Sequence, residues 1–179
     1  RKNKLVDVAK SGKRELRETG KLSIKLKDKD ELIGVNICQN NQDIMLSTTD
    51  GKCLRFPVKS LRLFSGLNSG GVRGIKLEKN NIVMSLSILK HSKIDMNIRK
   101  DYLKNSSDNR KNGSGFNQNK NFLELYSNEE FILSITSNGF GKRSSAYEYR
   151  ISNRGGKGIT GIKTTLKNGK VIDSFIISN

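Results

Sequence analysis

Short runs in which apolar and polar positions alternate dominate this chain. They read ELIGVNI (31–37), DIMLST (43–48), GKCLRF (51–56), IVMSLSIL (82–89), EFILSIT (130–136) and VIDSFII (171–177). Runs of this length and period, bounded by Gly, Asn, Asp or lysine clusters, predict short β-strands. Asp50-Gly51 and Asn138-Gly139 each separate two such runs, and both pairs accept the positive φ of a tight hairpin. The lone proline, Pro57, falls just after a strand, where a missing N–H is tolerated.

The runs also repeat. Residues 43–77 match 130–164 at an offset of 87, with one inserted residue near Asn138-Gly139. Each copy orders its parts alike: an apolar strand, the turn, a basic strand, a glycine-basic stretch (GLNSGGVRGIKL at 66–77, NRGGKGITGIKT at 153–164) and a closing strand. A third copy is partly present at the front, with KLSIKL (21–26) as its closing strand and ELIGVNI as the next apolar one. Units of roughly 50 residues built from four short strands are the signature of a propeller blade. The expected division is a partial blade and the start of the next over 1–42, a blade over 43–90, and a blade over 128–179. Between them, 91–127 is a polar Asn/Ser/Lys/Gly tract expected to be a flexible insertion, with IDMNIRKDYLK (94–104) able to form a short helix.

Composition narrows the partner. The chain has 179 residues and carries 34 Lys+Arg against 17 Asp+Glu, a formal charge of +17. A domain this basic repels itself, which points to a polyanionic partner. There is no apolar run near the roughly 18 residues that span a membrane and no charged-then-apolar leader, so a soluble, cytoplasmic protein without a membrane partner is expected. Cys38 and Cys53 lie in strand-like contexts and, with His91 as the lone histidine, cannot supply a four-ligand zinc site; buried thiols in a reducing compartment are expected. A chain that begins at Arg1 and stops just after FIIS reads as a piece of a longer polypeptide.

Motifs with catalytic connotations do not hold up. Gly156, Gly158 and Gly161 fit G-x-G-x-x-G, but a strand-like run follows where a dinucleotide site needs a helix N-terminus. Asp28, Asp30 and Glu31 sit among lysines at a turn between strands, which reads as a solvated hairpin tip. His91, beside the polar tract, reads as a surface residue, and the tyrosines lack an activating constellation. No catalytic residue and no metal site are expected.

The positive signal is where the basic residues recur. Lys52 and Arg55 follow one hairpin turn, and Lys142 and Arg143 follow the next; Lys59 and Arg62 parallel Arg150. Within the glycine-basic stretches, Arg73 and Lys76 answer Lys157 and Lys163, with Arg154 beside them. Charges that return at equivalent positions of a repeat return on one face, so a stripe that contacts phosphates without reading sequence is expected. Gly70-Gly71 and Gly155-Gly156 shape turns and also allow a backbone to approach a phosphate closely.

GKCLRF with GVRGIKL, and TSNGFGKRSSAYEYR with RGGKGITGIK, resemble the C-terminal domain of the DNA gyrase A-subunit family, and KLSIKLKDKDELIGV resembles its preceding blade. The resemblance spans nearly the whole chain except 91–127. It implies an all-β pinwheel, a propeller-like wheel whose basic rim wraps double-stranded DNA, with a partial wheel in this chain. Asn153-Arg154-Gly155-Gly156-Lys157-Gly158 matches the last five residues of the family's Q-R-R-G-G-K-G box, with Asn153 and Ser152 departing from it; Gly155, Gly156 and Gly158 are its glycines. The resemblance also implies a non-catalytic part of an ATP-dependent type II topoisomerase that supercoils DNA. In that family the breakage tyrosine lies in the A-subunit N-terminal region, and ATP and Mg2+ bind through other regions of a heterotetramer with the gyrase B protein. The equivalent wheel of topoisomerase IV is the near alternative, and a basic propeller scaffold for acidic proteins the distant one.

Overall fold

A computed structural model of the chain describes residues 26–28, 30–62, 71–113 and 119–177. Residues 1–25 of the partial blade expected over 1–42, together with Gly70, lie outside them.

The first unit is a hairpin of β1 (Gln42–Thr48) and β2 (Lys52–Pro57) followed by β3 (Val83–Lys90) on the other side of β1. After two helices, α1 (Met96–Asn112) and α2 (Lys120–Asn128), the second unit repeats the plan with β4 (Phe131–Thr136), β5 (Gly141–Ser145) and β7 (Val171–Ile177). Between β5 and β7, the short β6 (Ile159–Thr160) pairs with β2 of the first unit, so the sheets run β3-β1-β2-β6 and β5-β4-β7. The four-strand blade is therefore completed by exchange, its fourth strand supplied by the next unit. Both turns form as expected, with Gly51 at φ 77° and Gly139 at φ 81°.

Hydrogen-bond register refines the repeat. Met45 pairs with Arg55 and Leu133 with Arg143; β1 shifts register between Ser47 and Thr48, and β4 between Ile135 and Thr136. Both features recur 88 positions apart, without the insertion at the turn that sequence matching requires.

The core follows from β1 lying at the centre of its sheet with both faces covered. Ile44 and Leu46 point into a cluster with Leu54, Phe56, Val58, Ile75, Val83 and Cys38. Met45, on the opposite face, joins Cys53, Leu89, Ile132, Ala146 and Tyr149 between the two sheets. Small residues bring these sheets close: Ser174 Oγ donates to Ser134 Oγ at 2.8 Å, and Ser87 Oγ reaches the Ser174 carbonyl at 3.4 Å.

The polar tract differs from expectation. Its described residues form α1 of 17 residues and α2 of 9, where the sequence suggests a flexible segment with a short helix. Asp95 caps α1 by accepting from the amides of Asn97 and Ile98, and Gly113 closes it at φ 61°. Tyr102 is wholly buried between Phe122 and Tyr147, both edge-on, and it fastens the helices to the second unit.

Candidate nucleic-acid interface

The segment from 151 to 169 leaves the second unit, runs along the edge of the first and returns as β7. Its contacts trace the route: Ser152 N–H donates to the Arg55 carbonyl at 2.9 Å, β6 pairs with Lys52 and Cys53, the Gly161 amide donates to the Gly51 carbonyl at 2.9 Å, and Thr164 Oγ1 reaches the Asp50 carbonyl at 3.4 Å. This strap is the second glycine-basic stretch.

Glycine is required where the strap touches β2. A Cβ on Gly158 (φ 77°) would stand 2.6 Å from the Cys53 carbonyl oxygen. Gly156 is different: its added Cβ would meet nothing nearer than 3.7 Å. The strap also seals Tyr149 and Cys53 beneath Gly161; burial pushes the Tyr149 hydroxyl up to about 12 and raises the Cys53 thiol.

The two glycine-basic stretches, far apart in sequence, lie side by side. Gly155 N–H donates to the Gly74 carbonyl at 2.5 Å, Lys76 N–H to the Gly156 carbonyl at 2.8 Å, and Arg154 Nη1 to the Arg73 carbonyl at 3.3 Å. Arg73, Lys76, Arg154 and Lys157 are thereby gathered, all exposed and none with an acidic partner among the described residues. Four uncompensated cations on adjoining backbones create a strong positive potential, and phosphates are the natural counter-charge.

The other expected rim residues divide. Lys163, Lys59, Arg62 and Arg150 are exposed, Lys163 on the strap and the other three beyond it. Lys142 is exposed but donates Nζ to the Gly161 carbonyl at 2.7 Å and lies 3.8 Å from Glu148. Arg143 is exposed with its guanidinium 3.7 Å from the Phe131 ring centroid. Lys52 is engaged by Glu78 at 2.6 Å and Asp50 at 3.5 Å; the hydrogen bond to Glu78 raises its pKa and compensates its charge.

Arg55 is a correction. It is 3% exposed, with Nε on Asp43 Oδ2, Nη1 on the Ala146 carbonyl and Nη2 on the Lys90 carbonyl, each at 2.8 Å. A guanidinium so enclosed holds the two units together and does not belong to the rim. His91 is likewise not a plain surface residue: it is half-buried, its Nδ1 2.7 Å from Asp43 Oδ1.

The turn at 165–169 is not among the residues that the repeating basic pattern singles out. Lys167 is exposed on it and Lys170 just after it, and Leu166 is 102% exposed. The signal available is the run of lysines at 163, 167 and 170 around one leucine.

Known proteins are similar to this chain in sequence and fold. A family model described as "DNA gyrase C-terminal domain, beta-propeller" matches residues 14–39, 42–90 and 130–178, skipping the two helices. The DNA gyrase A subunit of Rickettsia bellii is 40% identical over 183 residues, covering 96% of this chain and 20% of the relative; that of Escherichia coli is 34% identical over 164 residues, covering 92% and 14%. The chain thus spans about a fifth or less of the length of these relatives. The crystal structure of the C-terminal domain of DNA topoisomerase IV superposes with a TM-score of 0.61 at 16% identity over 87% of this chain and 37% of that one, a likeness of fold.

Proposed function

Because this chain belongs to the DNA gyrase C-terminal domain family of beta-propellers, we propose that its strap binds and wraps double-stranded DNA without reading sequence. The gathering of Arg73, Lys76, Arg154 and Lys157 across two hydrogen-bonded glycine-rich backbones carries this reading. Each cation that neutralises a phosphate releases a counterion, so affinity comes from many weak contacts. Bending a duplex with a persistence length of roughly 50 nm costs several kcal/mol over a short site, and a line of repeated cations offsets it.

The wrapped segment is, in this proposal, handed to the cleavage gate of a gyrase-type type II topoisomerase and so directs negative supercoiling in the cytoplasm. The chain acts there as a non-catalytic part of a heterotetramer. Strand breakage belongs to the A-subunit N-terminal region, and ATP with Mg2+ to regions carried with the gyrase B protein. Topoisomerase IV is not favoured as the parent enzyme, since the 40% and 34% identical relatives are both gyrases.

Wrapping is tested by relaxing closed circular DNA with excess type I topoisomerase in the presence of the intact protein. Trapped writhe, seen as a shifted topoisomer distribution after deproteinisation, is expected. An unchanged distribution at saturating protein contradicts the proposal.

A further inference from the structure

Leu166 stands at the tip of a turn built to hold it outward. Thr165 and Gly169 bridge, with the Gly169 amide donating to the Thr165 carbonyl at 2.8 Å. Asn168 closes the turn from within: its Oδ1 accepts from the Thr165 amide at 2.5 Å and from Thr165 Oγ1 at 2.9 Å, while its Nδ2 donates to the Lys163 carbonyl at 2.6 Å. Asn138, on the hairpin turn below, donates Nδ2 to the carbonyls of Leu166 and Lys167 at 3.3 and 2.8 Å. A chain fixed by this many bonds is not a loose loop. Yet it presents a leucine that is 102% exposed.

Single exposed apolar residues are ordinary on protein surfaces. What sets this one apart is its surroundings. Lys163, Lys167 and Lys170 flank it, all exposed and none with an acidic partner among the described residues. Lys167 Nζ lies 5.9 Å from the ring centroid of Phe140, itself 43% exposed on the adjoining hairpin. An apolar tip ringed by uncompensated cations suits a polyanion with an apolar interior, which describes a stacked duplex.

The first unit supplies a contrast. Eighty-eight positions earlier the corresponding turn carries Glu78, whose carboxylate binds Lys52 at 2.6 Å. That turn offers an acid and consumes a lysine, so of these two turns only the second unit's presents such a face to DNA.

We propose that Leu166 is a wedge that enters the minor groove and partly unstacks one base step while Lys163, Lys167 and Lys170 hold the flanking phosphates. Apolar side chains inserted in this way kink duplexes toward the major groove, and the kink lets more protein surface meet the backbone. Pyrimidine–purine steps, which unstack most easily, are the favoured point of entry. The nine Cα–Cα steps from Lys157 to Leu166 span at most about 32 Å when extended, so phosphates on the strap and the wedge fall within one duplex turn of about 34 Å. The inference rests on the DNA-wrapping reading, and it adds the place where the bend is made.

The test uses the intact protein and a short duplex with 2-aminopurine at a single TA step, alongside its Leu166→Ala and Leu166→Glu variants. Because Leu166 is wholly exposed, neither substitution disturbs the core. Wild type is expected to raise 2-aminopurine fluorescence several-fold and to speed cyclisation of a ~150 bp fragment, about one persistence length. Leu166→Ala is expected to lose most of the fluorescence rise and about tenfold in cyclisation, with Kd within about threefold and an unchanged salt slope. Equal fluorescence from wild type and Leu166→Ala overturns the wedge while leaving DNA binding intact. So does unchanged fluorescence with altered self-association, which would make Leu166 a protein contact. If wild type fails to bind duplex at all, the wrapping reading fails first and the wedge falls with it.

Discussion

Arg55 and Arg143 occupy the same register position 88 residues apart, opposite Met45 and Leu133, but one is an interior strut and the other lies on the surface. The difference is in their neighbours. Arg55 meets Asp43 at 2.8 Å and reaches the second unit, whereas the position equivalent to Asp43 is Phe131, over whose ring Arg143 lies. Removing one partner of a buried ion pair leaves an uncompensated charge and costs about 3–5 kcal/mol, while an exposed cation–π contact contributes roughly 0.5–1 kcal/mol. Urea denaturation of Arg55→Ala and Arg143→Ala is expected to show these two losses in that order. Equal losses would mean that Arg55 is not the joint between the units.

The strap's glycines separate in the same way. Gly158→Ala forces a positive φ on alanine and drives Cβ into the Cys53 carbonyl, so a loss of about 1–3 kcal/mol is expected. Gly156→Ala meets no such obstacle and should leave thermal stability within about 0.5 kcal/mol. Melting curves of the two variants check this, and a reversed order would contradict the strap's seating on β2.

Alkaline pH should loosen the fold through its buried tyrosines. Burial pushes Tyr147 and Tyr149 up to about 12 and raises Tyr102 as well. A hydroxyl whose folded pKa lies above its unfolded value near 10 contributes stability that is complete below pH 10 and is lost as pH rises through about 12. Raising a hydroxyl from near 10 to about 12 corresponds to roughly 2–3 kcal/mol. Thermal melts from pH 9 to 12 should fall steeply above pH 10, and Tyr149→Phe should flatten that decline.

The helices between the units hang on Tyr102. Its ring is wholly buried, and its hydroxyl donates to Glu129 Oε2 at 2.8 Å. Truncation of a buried aromatic costs about 3–5 kcal/mol. In Tyr102→Ala, amide exchange is expected to accelerate through α1 and α2 while β1 and β4 stay protected. Uniform acceleration would show that the helices are part of the sheets' own cooperative unit.

Much of this is legible in the sequence, and what is not has a common cause. The hairpins at Asp50-Gly51 and Asn138-Gly139 follow from local backbone chemistry, and the repeat follows from similarity between its copies. Arg55 is misread because alternation says only which face of β2 it shares with Cys53; that the second sheet covers that face is tertiary information. The pairing of β6 with β2 is hidden for the same reason, since a two-residue strand has no period. The helices escape because their polar faces swamp the pattern, although Asp95 and Gly113 are readable caps and Tyr102, Phe122 and Leu125 a readable apolar set. Arg73, Lys76, Arg154 and Lys157 are expected on one face, but only the strand exchange puts their backbones side by side.

Duplex binding measured against salt shows whether DNA lies where the two glycine-basic stretches meet. Each phosphate contact contributes about −0.9 to the slope of log K against log salt, so replacing Arg73, Lys76, Arg154 and Lys157 together by alanine should make the slope shallower by roughly 3–4. Lys59→Ala, away from the strap, should change it by less than about 1. A quadruple variant that keeps the wild-type affinity and slope would show that DNA does not bind where the two glycine-basic stretches meet.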